Sequence, residues 1–142
     1  MSETTPIEVY LTVKGGDAAI EFYKKAFGAE ESYKQKADDG VRLLHANLKM
    51  FGGQVMLSDE FAEHSSDVVS PLSAGKASVT IHVNLKDAAS VDKALAEAAK
   101  AGGTITMPAD NMFWGMRYGR LRDPFGHVWS FGAPAESKGT GN

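Results

Sequence analysis

Residues 7–13, IEVYLTV, place Ile7, Val9, Leu11 and Val13 on one face and Glu8, Tyr10 and Thr12 on the other. A period of two is the mark of a half-buried strand. The GGD that follows opens a predicted helix, with Asp17 as its cap and Ile20, Tyr23 and Phe27 on its apolar face. Gly28 is placed to end it. Residues 30–38, 41–50 and 53–58 read as three further strands, divided by the turn signals DDG and GG. Within 41–50, Leu44, Ala46 and Leu48 alternate with His45 and Asn47.

Residues 59–75 are polar, carry Ser, Pro and Gly, and read as a linker; after them the pattern restarts. In SVTIHVNL (78–85), Val79, Ile81, Val83 and Leu85 oppose Thr80, His82 and Asn84. An Ala-rich helix over about 88–101 ends at Gly102-Gly103, and strands near 104–108, 117–122 and 127–131 complete the unit. Leu11 aligns with Val83 (72 apart), Gly28 with Gly102 (74 apart) and Gly53 with Gly126 (73 apart). The chain therefore reads as two βαβββ modules, about 6–58 and 76–132, within one domain. One module alone buries its helix and sheet poorly, so the two are expected to join. Residues 133–142 have the composition of a disordered tail.

Composition narrows the chemistry. The chain has 142 residues, enough for a core without staples, and a net charge of −3 that offers no footprint for nucleic acid. There is no cysteine, which removes disulfides, thiol nucleophiles and thiolate metal sites. MSETTPIEVY lacks the regions of a signal peptide and no apolar run reaches membrane length, so a cytoplasmic, membrane-free protein is expected. No serine sits in a nucleophile elbow, and GGDAA lacks the spacing of nucleotide-binding loops.

Three segments carry a family resemblance: YLTVKGGDAAIEFYKKAFGAE (10–30), LLHANLKMFGGQVMLSDE (43–60) and FWGMRYGRLRDPFGHVWSF (113–131). With the element order they resemble the vicinal oxygen chelate superfamily of glyoxalases, bleomycin-resistance proteins and extradiol dioxygenases, specifically its PhnB-like branch. The resemblance implies an α+β fold in which two modules form a curved mixed sheet around a cup-shaped cavity, with helices outside. It also implies a homodimer as the common assembly. Fold alone does not choose the chemistry.

Alternation directs Glu8, Tyr10, Thr12, Thr80, His82 and Asn84 into the cup, with His45 and Asn47 and their repeat counterparts Tyr118 and Arg120. The glycine register adds Leu57 and Ser130, and turns Trp129 and Phe131 toward the helices. Metal-binding members carry ligands at positions matching Glu8, Leu57, Thr80 and Ser130, of which only Glu8 is a good ligand for a divalent cation. No metal or other cofactor is expected; an irregular divalent site from Glu8, His45 and His82 is the alternative.

His45 and His82 are the candidate bases or hydrogen-bonding anchors. Arg120 either pairs with Glu8 or receives an anionic or carbonyl group of a ligand. Phe113 and Trp114, flanked by Met112 and Met116, suit either a dimer contact or the wall of a pocket for a flat ligand. His64, His127, Arg117, Arg122, Asp123 and the acidic stretch Ser58-Asp59-Glu60 are expected at the surface or in turns. The expected function is metal-independent binding of an organic, aromatic or drug-like molecule. Glu8, Tyr10, His45, Leu57, His82, Trp114, Tyr118, Arg120 and Ser130 are the expected ligand-binding residues. The alternatives are a metal-dependent or histidine-based lyase, isomerase or dioxygenase, and a dimeric interaction protein with a vestigial cup.

Overall fold

The computed structural model describes residues 6–64 and 67–135. They fall into two compact units, one ending at Ala77 and one beginning at Ser78. The first holds β1 (Val9–Val13), α1 (Gly16–Phe27), β2 (Glu30–Lys36), β3 (Leu43–Met50), β4 (Gly53–Asp59), a 3-10 turn (Ala62–His64) and α2 (Pro71–Ala74). The second holds β5 (Thr80–Asn84), α3 (Ala88–Ala101), β6 (Thr104–Asn111), β7 (Met116–Arg122) and β8 (Val128–Pro134). Each unit is a four-stranded mixed sheet, β1-β4-β3-β2 and β5-β8-β7-β6, with its first strand parallel to its last. The α+β architecture of two βαβββ modules is as the sequence predicts. Among the described residues no helix is long and apolar enough to cross a membrane.

One face of each sheet is covered. In the first unit Leu11, Val13, Leu43, Ala46, Leu48, Val55 and Leu57 are buried together with Ile20, Tyr23 and Phe27 of α1. Tyr23 and Phe27 stack with ring centroids 5.8 Å apart. In the second, Val83, Leu121, Trp129 and Phe131 are buried with Val91, Leu95 and Ala98 of α3. Trp129, at 1% exposure, is a core side chain, as its position in the register predicts. Removing a buried aromatic of this size costs about 3–5 kcal/mol.

Buried carboxylates hold the strand-to-helix and strand-to-strand turns. Asp17 does not cap α1; it lies in the first turn and pairs with Lys34 and Lys36 of β2 at 3.3 and 2.6 Å. The orphan N–H groups at the helix start are met instead by Asp59, from the end of β4. Its Oδ1 accepts from Gly15 N (2.8 Å) and Gly16 N (3.0 Å), and its Oδ2 accepts from Leu43 N (2.8 Å). Asp59 is 5% exposed, so it is neither a linker residue nor a solvated one. Asp123 lies in the turn between the last two strands, one of the places the sequence allows it, but it is buried there. At 3% exposure, its Oδ1 accepts from Phe125 N and His127 N, and its Oδ2 accepts from the Trp129 indole at 2.9 Å.

Three other sequence expectations shift. A bulge where β2 meets β3 puts Leu43 in the core and leaves Leu44 46% exposed, which breaks the alternation expected through Leu44. Part of the expected linker is helical, at Ala62–His64 and Pro71–Ala74, with Ser70 capping α2. The last strand runs to Pro134, past the expected end at 131, and Ala135 N donates to Gly115 O at 2.9 Å. The rest of the expected disordered tail, 136–142, lies outside the described residues.

Candidate functional site

The ladder between first and last strands decides which side chains share the open face of each sheet. Tyr10 pairs with Met56 and Leu11 with Leu57; His82 pairs with Ser130 and Val83 with Phe131. Ser130 therefore lies on the same face as His82, whereas Leu57, fully buried, lies under α1 with Leu11. The expectation that Leu57 faces the ligand is corrected. Its cause is the choice of repeat glycine. The β3–β4 turn uses Phe51 (φ 52) and Gly52 (φ 76), and the counterpart of Gly126 (φ 93) is Gly52 rather than Gly53. The two-residue turn with both φ positive fixes the hairpin register. Counted from Gly52, the residue matching Ser130 is Met56.

On the first sheet, the Tyr10 hydroxyl lies 2.8 Å from His45 Nδ1, and His45 Nε2 lies 2.7 Å from Asn47 Oδ1. The Asn47 carbonyl oxygen can only accept, so Nε2 carries the proton and Nδ1 accepts from Tyr10. Tyr33 adds a ring 6.0 Å from His45. Glu8 sits at the other end of the face, accepting from Gln54 Nε2 at 3.2 Å.

On the second sheet, His82 Nε2 faces Asn84 Oδ1 at 3.0 Å and His82 Nδ1 faces Ser130 Oγ at 2.8 Å. Arg120 Nε donates to the Tyr118 phenol oxygen at 3.1 Å. The His82 and Tyr118 rings stack at 5.9 Å, and Trp114 meets Tyr118 edge-on at 6.0 Å. Gly132 makes the His82 position possible: a Cβ there would lie 3.0 Å from His82 Cε1 and 3.3 Å from Nε2. Burial pushes the Tyr118 phenol up, but the bonds from Ser130 and Arg120 and the guanidinium charge outweigh it, and the net shift is downward.

The two faces are related by exchange. Tyr10 and His82 are repeat counterparts, as are His45 and Tyr118, so the Tyr10–His45 pair of the first sheet and the His82–Tyr118 pair of the second sit on exchanged strands. Each His is followed two residues later by an Asn that fixes its tautomer. The sequence marked every one of these residues; the pairing between them was not visible because it depends on neighbouring strands.

Trp114 belongs to a tight turn, with Met112 N donating to Met116 O at 2.7 Å and Gly115 at φ 86. It is 53% exposed and Phe113 is 97% exposed, 5.1 Å from it between ring centroids. Arg117 leaves the face altogether, forming a forked pair with Asp92 of α3 at 2.9 Å. Asp59, expected to be solvated, and Asp123, expected at the surface or in a turn, are both buried anchors of the fold.

The positions at which metal-binding relatives carry ligands hold Glu8, Met56, Thr80 and Ser130. One carboxylate, a thioether and two neutral hydroxyls do not make a donor set for a hard or borderline divalent cation. Ser130 is 1% exposed and its hydroxyl is taken up by His82. The irregular set of Glu8, His45 and His82 fits no better, since both nitrogens of each imidazole are already bonded. No set of three or more His, Asp or Glu residues that could hold an ion occurs among the described residues.

A duplicated βαβββ fold with a polar–aromatic open sheet face defines a class of small-molecule sites, and the comparisons name the family. Residues 6–131 match the Glyoxalase/Bleomycin resistance protein/Dioxygenase superfamily, and the chain belongs to it. An uncharacterized protein of Mycobacterium bovis is 40% identical over 126 residues, spanning 88% of this chain and 80% of its own. Protein YjdN of Escherichia coli is 27% identical, over 87% of this chain and 92% of its own. TioX from Micromonospora sp. ML1 superposes with a TM-score of 0.65 at 27% identity, covering 94% of this chain and 98% of its own. The PhnB protein from Bacillus cereus shares the fold with a TM-score of 0.70 at 19% identity, covering 91% of this chain and 99% of its own.

Proposed function

We propose that the protein binds a planar organic molecule bearing a carbonyl or anionic group, without a metal, on the open face of its second sheet. The observation that carries this reading is the state of Arg120. Its Nε is fixed by the Tyr118 hydroxyl and its charge lies 5.6 Å from the centre of the Tyr118 ring. No carboxylate of its own unit pairs with it among the described residues, which leaves the outer fork of the guanidinium for an acceptor. Beside it, the half-exposed Trp114 and the part-buried Tyr118 offer ring surface, the pairing of apolar wall and polar anchor that small-molecule sites use. Tyr10, His45 and Glu8 provide a second, smaller set of polar anchors on the first sheet.

A charge-assisted bond from Arg120 contributes about 1.5–3 kcal/mol, or roughly 10- to 100-fold in affinity. A thermal-shift screen of aromatic carboxylates, quinones and phenols tests the reading: members of these classes should raise the melting temperature. A flat response across them sinks it. The reading includes a cytoplasmic homodimer as the working form, and light scattering on the purified chain tests the dimer.

A further inference from the structure

We propose that Tyr10 and His45 form a proton-abstracting pair on the open face of the first sheet, where His45 takes a proton from an enol, a phenol or a carbon acid through the Tyr10 hydroxyl. This activity goes beyond the binding reading, which concerns the second sheet. His45 and His82 are built alike. An Asn two residues on accepts from Nε2, at 2.7 Å for His45 and 3.0 Å for His82. Nδ1 is thereby left to accept from a hydroxyl, which lies 2.8 Å away in both cases. The two hydroxyls differ in access. Ser130 is 1% exposed and closes the His82 chain against its sheet, whereas Tyr10 is 50% exposed. Of the two imidazoles, His45 is therefore the one joined through its hydroxyl partner to the side from which a ligand arrives. Its own nitrogens are occupied by Tyr10 and Asn47, so the ligand meets the phenol and not the imidazole.

Proton transfer needs no other reactant. The ligand's proton moves to the Tyr10 oxygen as the Tyr10 proton moves to His45 Nδ1. This leaves the ligand as its conjugate base, the phenol neutral and the imidazole protonated, so no tyrosinate has to form. Asn47 Oδ1 keeps its bond from Nε2–H and holds the imidazolium in place, the third member of a hydroxyl, base and orienting-group set. The other ionisable groups around the pair are few. Alternation puts Glu8 of β1 and Lys49 of β3 on this face. Tyr33 of β2 lies with its ring 6.0 Å from His45 and gives its hydroxyl to Gln35 at 2.8 Å, while Lys34 and Lys36 of β2 turn to Asp17. β4 contributes Gln54, Met56 and Ser58, none of which titrates. The half-exposed rings of Tyr10 and Tyr33 leave surface for a flat carbon acid.

The test has two arms, both on the whole chain. In the first, 15N-histidine NMR of the ligand-free protein reads the tautomer. His45 should carry its proton on Nε2, and its Nδ1 resonance should move when Tyr10→Phe removes the donor. An Nδ1–H tautomer in wild type overturns the relay, and it decides even if a variant fails to fold. The second arm follows proton loss from 5-nitrobenzisoxazole, a planar carbon acid. Its C–H electron pair completes a nitrile as the ring N–O bond breaks, and the oxygen leaves as a coloured phenolate. The protein-dependent rate should fall about 100-fold in His45→Gln and in Tyr10→Phe. In wild type it should rise with pH as the imidazole loses its proton, and that limb should vanish in His45→Gln. No protein-dependent rate in wild type, a wild-type rate in either variant, or a faster rate in Tyr10→Phe because the bared imidazole acts alone, overturns the proposal. A flat ligand screen would sink the second-sheet reading without changing either arm.

Discussion

Replacing Asp123 by Asn tests whether the last turn is built around a buried charge. The Asp123 carboxylate accepts hydrogen bonds from Phe125 N, His127 N and, at 2.9 Å, the Trp129 indole. Asparagine keeps the size and one acceptor oxygen. If that oxygen stays on Phe125 and His127, the new amide group confronts the indole N–H, donor against donor. The variant then loses one charge-assisted bond and strands a buried N–H, which together cost about 2–4 kcal/mol. With a urea slope of about 2 kcal/mol per molar, the unfolding midpoint should fall by about 1–2 M. Trp129→Phe removes the conflicting donor and keeps most of the ring. The double variant should therefore cost about 1–2 kcal/mol less than the sum of the two single changes. Urea unfolding followed by circular dichroism measures all four proteins. A midpoint for Asp123→Asn equal to that of wild type, or strict additivity, refutes the assignment.

Three further outcomes follow from the geometry. Gly132→Ala places a methyl group 3.0 Å from the His82 ring, so His82 should leave Ser130, with a clear change in its 15N resonances and weaker ligand binding. Gly119→Ala drives a methyl into Leu95 Cδ1 and lies 3.1 Å from Met107 O, and should destabilise the second unit by about 1–3 kcal/mol in urea. The Arg42 guanidinium, bonded to Asp39 and Glu63, lowers both carboxyls to about 2 from ordinary values of 3.8 and 4.5. Because the folded values are depressed, this stabilisation is complete above the ordinary range and disappears as pH falls through about 2. Wild type should therefore lose its advantage over Asp39→Asn/Glu63→Gln in acid melts below about pH 4, and an advantage that is constant with pH would falsify the pairing.

The elements were legible where local signals agree. Helix α3 runs over the expected 88–101, with Asp87 capping Ser90 and Gly102 beyond its end. Gly28 ends α1 with positive φ as its position implied. What sequence did not show depends on partners distant in the chain. The cap of α1 comes from Asp59, more than forty residues later, and no local pattern announces it. The bulge that exchanges Leu43 for Leu44 follows from how β2 meets β3. At the site, period-two alternation identified Tyr10, His45, His82, Tyr118 and Arg120. The last-strand register required knowing which of two adjacent glycines makes the turn. That single step separates Leu57, in the core, from Met56, on the open face.

The measurement closest to the central claim is isothermal titration of an aromatic carboxylate or phenol that scores in the thermal screen, with chelator present throughout. Binding should be chelator-insensitive, weaken roughly 10- to 100-fold in Arg120→Ala and also weaken in Trp114→Ala. Binding that vanishes with chelator, or that is indifferent to Arg120, contradicts it.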